Sequence, residues 1–126
     1  MKTTQKVAVY LDHFTADVYE YSESTKLVLS IKSEFNAAEK KKSNQKGESH
    51  LHHKEQDLQQ KFYLLIKHKV INYDAILLFG TTTAKTELLH VLQSDSAFSS
   101  KEITIKNTDR LTENQKTAFI NDFFLI

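Results

Sequence analysis

Cysteine is absent from the 126 residues, which removes disulfide frameworks and thiolate metal sites and fits a reducing compartment. Proline is absent as well, so no proline-rich linker divides the chain. Glycine occurs only as Gly47 and Gly80, too sparsely for a Walker loop or a G-x-G-x-x-G turn. No run approaches the roughly 18 apolar residues of a membrane span, and Met1 to Lys6 leads into an alternating segment instead of a leader's apolar stretch. The expectation is a cytoplasmic protein without membrane contact. Arginine is nearly missing, because the 17 Lys plus Arg include only Arg110. Arg is the usual bidentate reader of phosphates and base edges, so a sequence-specific DNA reader is disfavoured. Against 16 Asp plus Glu the net charge is +1, and attraction to nucleic acid would have to come from local clustering.

What remains is enough for one core. The chain is 40% hydrophobic, with eight Phe and five Tyr, and a domain of this size buries roughly two thirds of its extended surface. A single domain over 1–126 is expected. Val7 to Leu11 reads as a strand of β-branched and aromatic residues, and Asp12 to Thr15 turns the chain into Ala16 to Tyr21. Ser22 to Thr25 is a second turn, and Lys26 to Ile31 completes a meander, since such short connections join antiparallel neighbours.

From Lys32 to His53 the apolar positions run out, and a long flexible basic loop is expected at about 34–54. A connection of that length in a compact domain is more often functional than merely connective. Leu58, Phe62, Leu65, Ile66 and Lys69 or Val70 then recur at helical spacing within Glu55 to Val70. Ala75 to Phe79 is a continuous apolar run, the pattern of a central strand covered on both faces, and Gly80 closes it. Thr81, Thr82 and Thr83 offer hydroxyl caps for a helix from about Ala84 to Gln93, with Ala84, Leu88, Val91 and Leu92 inward. Ile103 and Ile105 mark a last strand. Thr112 with Gln115 forms a capping box for a final helix whose Ala118, Phe119 and Phe123 are expected to face the sheet. Phe124, Leu125 and Ile126 are too apolar for a free tail and are expected to pack on the body or on a second subunit. The order strand, strand, strand, helix, strand, helix, strand, helix is that of an α/β, ribonuclease H-like mixed five-stranded sheet.

Four groups of residues invite a functional reading. Phe79 to Lys85 runs a buried strand into a helix N-terminus where Thr81, Thr82, Thr83 and Lys85 would meet an anion; the plainer reading is a tight capped turn. Between Lys32 and Lys54 lie six Lys, and Lys40, Lys41, Lys42, Lys46 and Lys54 would neutralise phosphates on a mobile arm, against the plainer reading of a solvated loop. The loop has no aromatic residue after Phe35, so contact with RNA there would be electrostatic and not by stacking. His50, His52 and His53 extend that basic patch when protonated, and without Cys they make a poor zinc site. Asp12, Glu55, Asp57 and Asp74 are the acids available to a metal-dependent nuclease, but the central strand ends in Gly80-Thr81 with no carboxylate. No catalytic residue, metal or cofactor is predicted.

Leu78-Phe79-Gly80-Thr81-Thr82-Thr83-Ala84-Lys85-Thr86-Glu87-Leu88 resembles the middle domain of the eukaryotic and archaeal class 1 peptide chain release factors, with their Pelota-like and bacterial relatives. Lys61-Phe62-Tyr63 before the apolar strand fits the same pattern, as does Tyr10-Leu11-Asp12-His13-Phe14-Thr15-Ala16 at the start. The resemblance covers most of Val7 to Leu92. It implies the ribonuclease H-like order and a loop, here Glu34 to Lys54, that reaches the ribosomal peptidyl transferase centre. Release factors carry Gly-Gly-Gln in that loop, whereas this chain has Asn44-Gln45-Lys46-Gly47-Glu48, so peptide release is not implied. The implied role is a non-catalytic RNA- or ribosome-associated domain. The alternatives are a protein-interaction or self-associating domain, for which a homodimer or another protein would be the partner, and a metal-dependent nuclease.

Overall fold

The computed structural model describes residues 4–33 and 48–125, with side chains described from Gln56 onward in the latter segment. Its strands are β1 (Lys6–Leu11), β2 (Thr15–Tyr21), β3 (Thr25–Lys32), β4 (Ala75–Gly80) and β5 (Glu102–Asn107). Its helices are α1 (Glu48–Val70), α2 (Ala84–Gln93) and α3 (Glu113–Phe124), with a single 3-10 turn at Ser96–Phe98. The strands form one sheet in the order β3-β2-β1-β4-β5. β1 pairs antiparallel with β2 and parallel with β4, and β4 pairs parallel with β5. This is the mixed, ribonuclease H-like arrangement that the element order implies.

The register explains why both faces are dry. Leu29, Val18, Val9, Leu78 and Ile105 stand side by side across the five strands. They face a layer made by Phe62, Ile66 and Val70 of α1 and by Ala84, Leu88 and Leu92 of α2. One residue along, Tyr19, Ala8 and Leu77 form a row on the opposite face, which meets Ile120 and Phe124 of α3. Ile76 to Phe79 are therefore at most 1% exposed, as a doubly covered central strand requires. Each such side chain contributes on the order of 1.5–3 kcal/mol on burial.

Three sequence expectations need correction. α1 begins at Glu48, so 48–54, expected as part of the loop, are helical. That stretch, Glu-Ser-His-Leu-His-His-Lys, has only Leu51 as an apolar anchor, but extending a helix already nucleated by packing adds one hydrogen bond per residue. Leu65, expected inward, is 43% exposed. The inner stripe instead runs through Phe62, Ile66 and Val70 with Tyr63 beside it, turning α1 toward α2 and leaving Leu65 on its far flank.

In α3 the inward line is Lys116, Ile120 and Phe124, while Ala118 is exposed and Phe119 and Phe123 pack at the margins. The expected capping box is present, with Thr112 and Gln115 satisfying each other's backbone amides. Phe119 meets the sheet as expected, its ring stacked on that of Phe79 with centroids 5.0 Å apart, and the expectation fails only at the exposed Ala118 and in omitting Lys116, a lysine at an inward position that apolar periodicity does not mark. Phe124 stacks on Tyr21 with ring centroids 5.3 Å apart, but Leu125 remains 75% exposed. Ile126 lies outside the described residues.

Candidate functional site at the carboxyl ends of the parallel strands

β1, β4 and β5 all point their carboxyl ends to one edge of the domain, where the segments that follow them carry most of the polar chemistry. Gly80 makes their convergence there feasible. Its φ is +154°, and a Cβ at this position would lie 2.5 Å from the Leu11 carbonyl oxygen. Only glycine allows the end of β4 to sit so close to the end of β1.

The Thr81–Lys85 turn is mainly architectural. Thr82 Oγ1 accepts the Ala84 amide at 3.2 Å, while Thr83, the N-cap by position, makes no side-chain cap and donates its hydroxyl to Glu87 at 3.2 Å. Lys85 is buried, and its ammonium turns back to donate to the Thr82 carbonyl. Burial holds the Lys85 pKa below the ordinary lysine value. The side chain expected to reach an anion is thus occupied in closing its own turn. Thr81 is exposed on the lip of the cleft described below.

On the α1 and α2 face, a node joins three elements. Glu87 of α2 accepts from Tyr63 Oη of α1 at 2.7 Å and contacts His13 Nε2, in the β1–β2 turn, at 3.0 Å. A carboxylate only accepts, so this ring nitrogen carries a proton. Gln59 of α1 donates to the His13 carbonyl at 3.2 Å. Burial acts to raise the Glu87 pKa, but the hydrogen bonds from His13 and Tyr63 outweigh it and hold the group below the usual glutamate range. Burial and the same carboxylate push the Tyr63 phenol well up.

On the α3 face a second node is more enclosed. Lys116 donates to Asp17 and to Glu113, each at 3.0 Å, and its ammonium lies 4.4 Å from the centre of the Tyr10 ring. Burial opposes its charge, yet the two carboxylates raise its pKa above the ordinary value. Tyr10 and Lys116 wall a cleft of about 450 Å³ with Asp12, Thr15, Thr81 and Arg110.

Among the described residues Asp12, Asp17 and Asp74 are each engaged separately. Asp12 Oδ1 accepts from the amides of Phe14 and Thr15 at 2.7 and 2.8 Å, closing the β1–β2 turn. Asp17 is held by Ser30 and Lys116. Asp74 caps the opposite end of the sheet through the Gln5 amide. Among the described residues no group of three or more His, Cys, Asp or Glu could hold a metal ion.

Lys40, Lys41, Lys42 and Lys46 lie outside the described residues. His50 sits in the first turn of α1 and His52, His53 and Lys54 in the second, on helix and not on loop; the side chains of these four lie outside the description. The sequence reading missed the Glu87 and Lys116 nodes as units. The partners are separated by 74 residues for His13 and Glu87 and by 99 for Asp17 and Lys116, beyond the reach of any local pattern.

No protein-family model matches the sequence, and no curated protein matches it. Solved structures do match. The Pelota protein of Archaeoglobus fulgidus superposes with a TM-score of 0.61 at 7% identity, covering 98% of this chain and 32% of that one. The Thermoplasma acidophilum Pelota gives 0.61 at 15% identity, over 94% of this chain and 32% of its own. Dom34 of S. cerevisiae, described as a translation termination-like factor involved in RNA quality control pathways and interacting with Hbs1, gives 0.57 at 14% identity, over 91% and 31%. The chain spans about a third of the length of these structures. At such identities the likeness is one of fold: the α/β fold of this chain is similar to that of about a third of each of these proteins. No helix among the described residues is long and apolar enough to cross a membrane.

Proposed function

We propose that this domain associates with RNA or with the ribosome and catalyses no reaction, its contact being the lysine-rich connection between β3 and α1. The observation that carries the reading is the fold, shared with translation-related factors, in combination with the charge of that one connection. Lys40, Lys41, Lys42 and Lys46 of that connection, with Lys54 on the first turns of α1, supply point charges suited to a phosphate backbone. The exposed Thr81 hydroxyl and Arg110 add polar groups at the same edge of the sheet. Lys85, turned inward, contributes by shaping the turn. The acids nearest that edge are spent on turns and on Lys116, which favours binding over metal-dependent hydrolysis.

The test is co-sedimentation of the full chain with purified ribosomes at two salt concentrations. Binding should weaken as salt rises, and replacing Lys40, Lys41 and Lys42 with Ala should lower affinity and flatten the salt dependence by up to about three counterions. Unchanged affinity in the triple variant would overturn this assignment.

A further inference from the structure

β4 and β5 are adjacent and parallel, yet the chain leaves them in opposite directions. After β4 it passes to α2, which packs with α1 on one face of the sheet, and after β5 it passes to α3 on the other. Neighbouring parallel strands whose connections part in this way open a crevice beyond their carboxyl ends, the place where open α/β sheets bind ligands. Its sides here are the turn after Gly80 and the Asn107 to Leu111 connection. They are tied at the base by the Thr108 amide, which donates to the Gly80 carbonyl at 3.0 Å.

Two adjoining cavities make up the crevice and share Thr81 and Leu111. One, of about 560 Å³, is lined further by Asn107, Thr108, Asp109 and Phe119. The other is the cleft of about 450 Å³ walled by Tyr10, Asp12 and Arg110. Phe119 stacks on Phe79 with planes 22° apart, so the larger cavity is bounded by a flat aromatic pair that a planar ring can extend. Thr108 Oγ1 is the one buried side-chain polar atom among the described residues without a hydrogen-bond partner, and one χ1 step re-aims a threonine hydroxyl. With the Asn107 amide and the Thr81 hydroxyl it offers the mixed donors and acceptors that the edge of a nucleobase matches.

Charge narrows the ligand further. Lys116 is matched by Asp17 and Glu113, which leaves Asp12 and Asp109 set against Arg110. That balance disfavours a multiply charged phosphate and accepts a neutral ligand. The hydrogen bonds to Asp12 from described residues all reach Oδ1, so its other oxygen remains to accept from a sugar hydroxyl. We propose that this crevice binds one uncharged nucleoside, its base against Phe119 in the larger cavity and its ribose beside Asp12 in the smaller. The site goes beyond the lysine-borne RNA contact and does not depend on it.

Titration of adenosine, guanosine, cytidine and uridine in turn into the full chain, followed by amide chemical shifts, tests it. At least one nucleoside should shift the Thr81, Thr108 and Leu111 amides saturably at millimolar concentration or below. Phe119→Leu, which keeps apolar bulk but removes the flat ring, should weaken binding by about tenfold. The 2′-deoxy counterpart should bind less well than the ribonucleoside, and Asp12→Asn, which keeps an acceptor for the turn, should remove that preference. The 5′-monophosphate should bind no tighter than the nucleoside. Replacing Lys40, Lys41 and Lys42 with Ala should leave nucleoside affinity unchanged, so this site and the RNA reading fail separately. A short oligoribonucleotide distinguishes two sources of the same chemistry. A gain in affinity over the nucleoside that the triple variant abolishes identifies the end of an RNA, and no gain identifies a free nucleoside. The absence of saturable shifts with all four nucleosides would overturn the proposal, as would a tighter monophosphate or an affinity that ignores both Phe119→Leu and Asp12→Asn.

Discussion

The two polar nodes at the carboxyl edge of the sheet solve the same problem in opposite ways. On one face Glu87, an acid, gathers donors from α1 and the β1–β2 turn, and its side chain stays 45% exposed. On the other face Lys116, a base with a side chain only 10% exposed, gathers acceptors from β2 and α3. Both fasten a helix to the end of the sheet. The difference is that the first is an open clasp whose loss water can partly make good, whereas the second holds a charge that would be stranded if its partners were removed.

The two nodes also lean on pH in opposite directions. The folded Glu87 pKa is depressed, so its contribution is present above the unfolded glutamate value and is lost as pH falls through the folded one. The folded Lys116 pKa is raised, so its contribution is present below the unfolded lysine value and is lost as pH rises through the folded one. Neutral solution keeps both.

The most damaging change acts where the two faces meet. Gly80→Ala places a Cβ against the Leu11 carbonyl and forces a positive φ on alanine, so a loss of about 3 kcal/mol or more is expected in urea unfolding. A cost below about 1 kcal/mol would mean that the strand ends relax freely. Next, Lys116→Ala should cost about 2–4 kcal/mol, because it leaves Asp17 beside a buried surface without its cation, and it should abolish the alkaline limb contributed by that group. Glu87→Gln should cost only about 1 kcal/mol at neutral pH and flatten the acid limb of the stability curve. Since the nodes sit on opposite faces, the last two losses should add in a double variant; a large coupling would show that they act as one unit.

Much of this architecture was legible before any coordinates. Ala75 to Phe79 is so uniformly apolar that a doubly covered strand accommodates it, and Thr112 with Gln115, set before an apolar periodic stretch, marks a helix start. These are local signals, complete within a few residues. Two of the failures have a common cause. Leu65 is apolar and yet exposed, while Lys116 is charged and yet buried, because the orientation of α1 depends on Tyr63 meeting Glu87 and that of α3 depends on Lys116 meeting Asp17. The helical start at Glu48 was hidden for a different reason, since a helix can be prolonged past its last core contact without any apolar marker.

Composition and periodicity by themselves determined the order of the elements, the central strand, the lack of thiolate chemistry and the concentration of lysines between β3 and α1. Backbone preference and hydrophobic burial act over short stretches of chain, so these features can be read from short stretches. Which side of each helix turns inward, which acid is consumed by a turn, and that Lys85 bends back while Arg110 does not enter the core were decided only by tertiary structure. Such choices balance the cost of removing a charge from water against partners dozens of residues away, and those partners exist only once the sheet has brought its strand ends together.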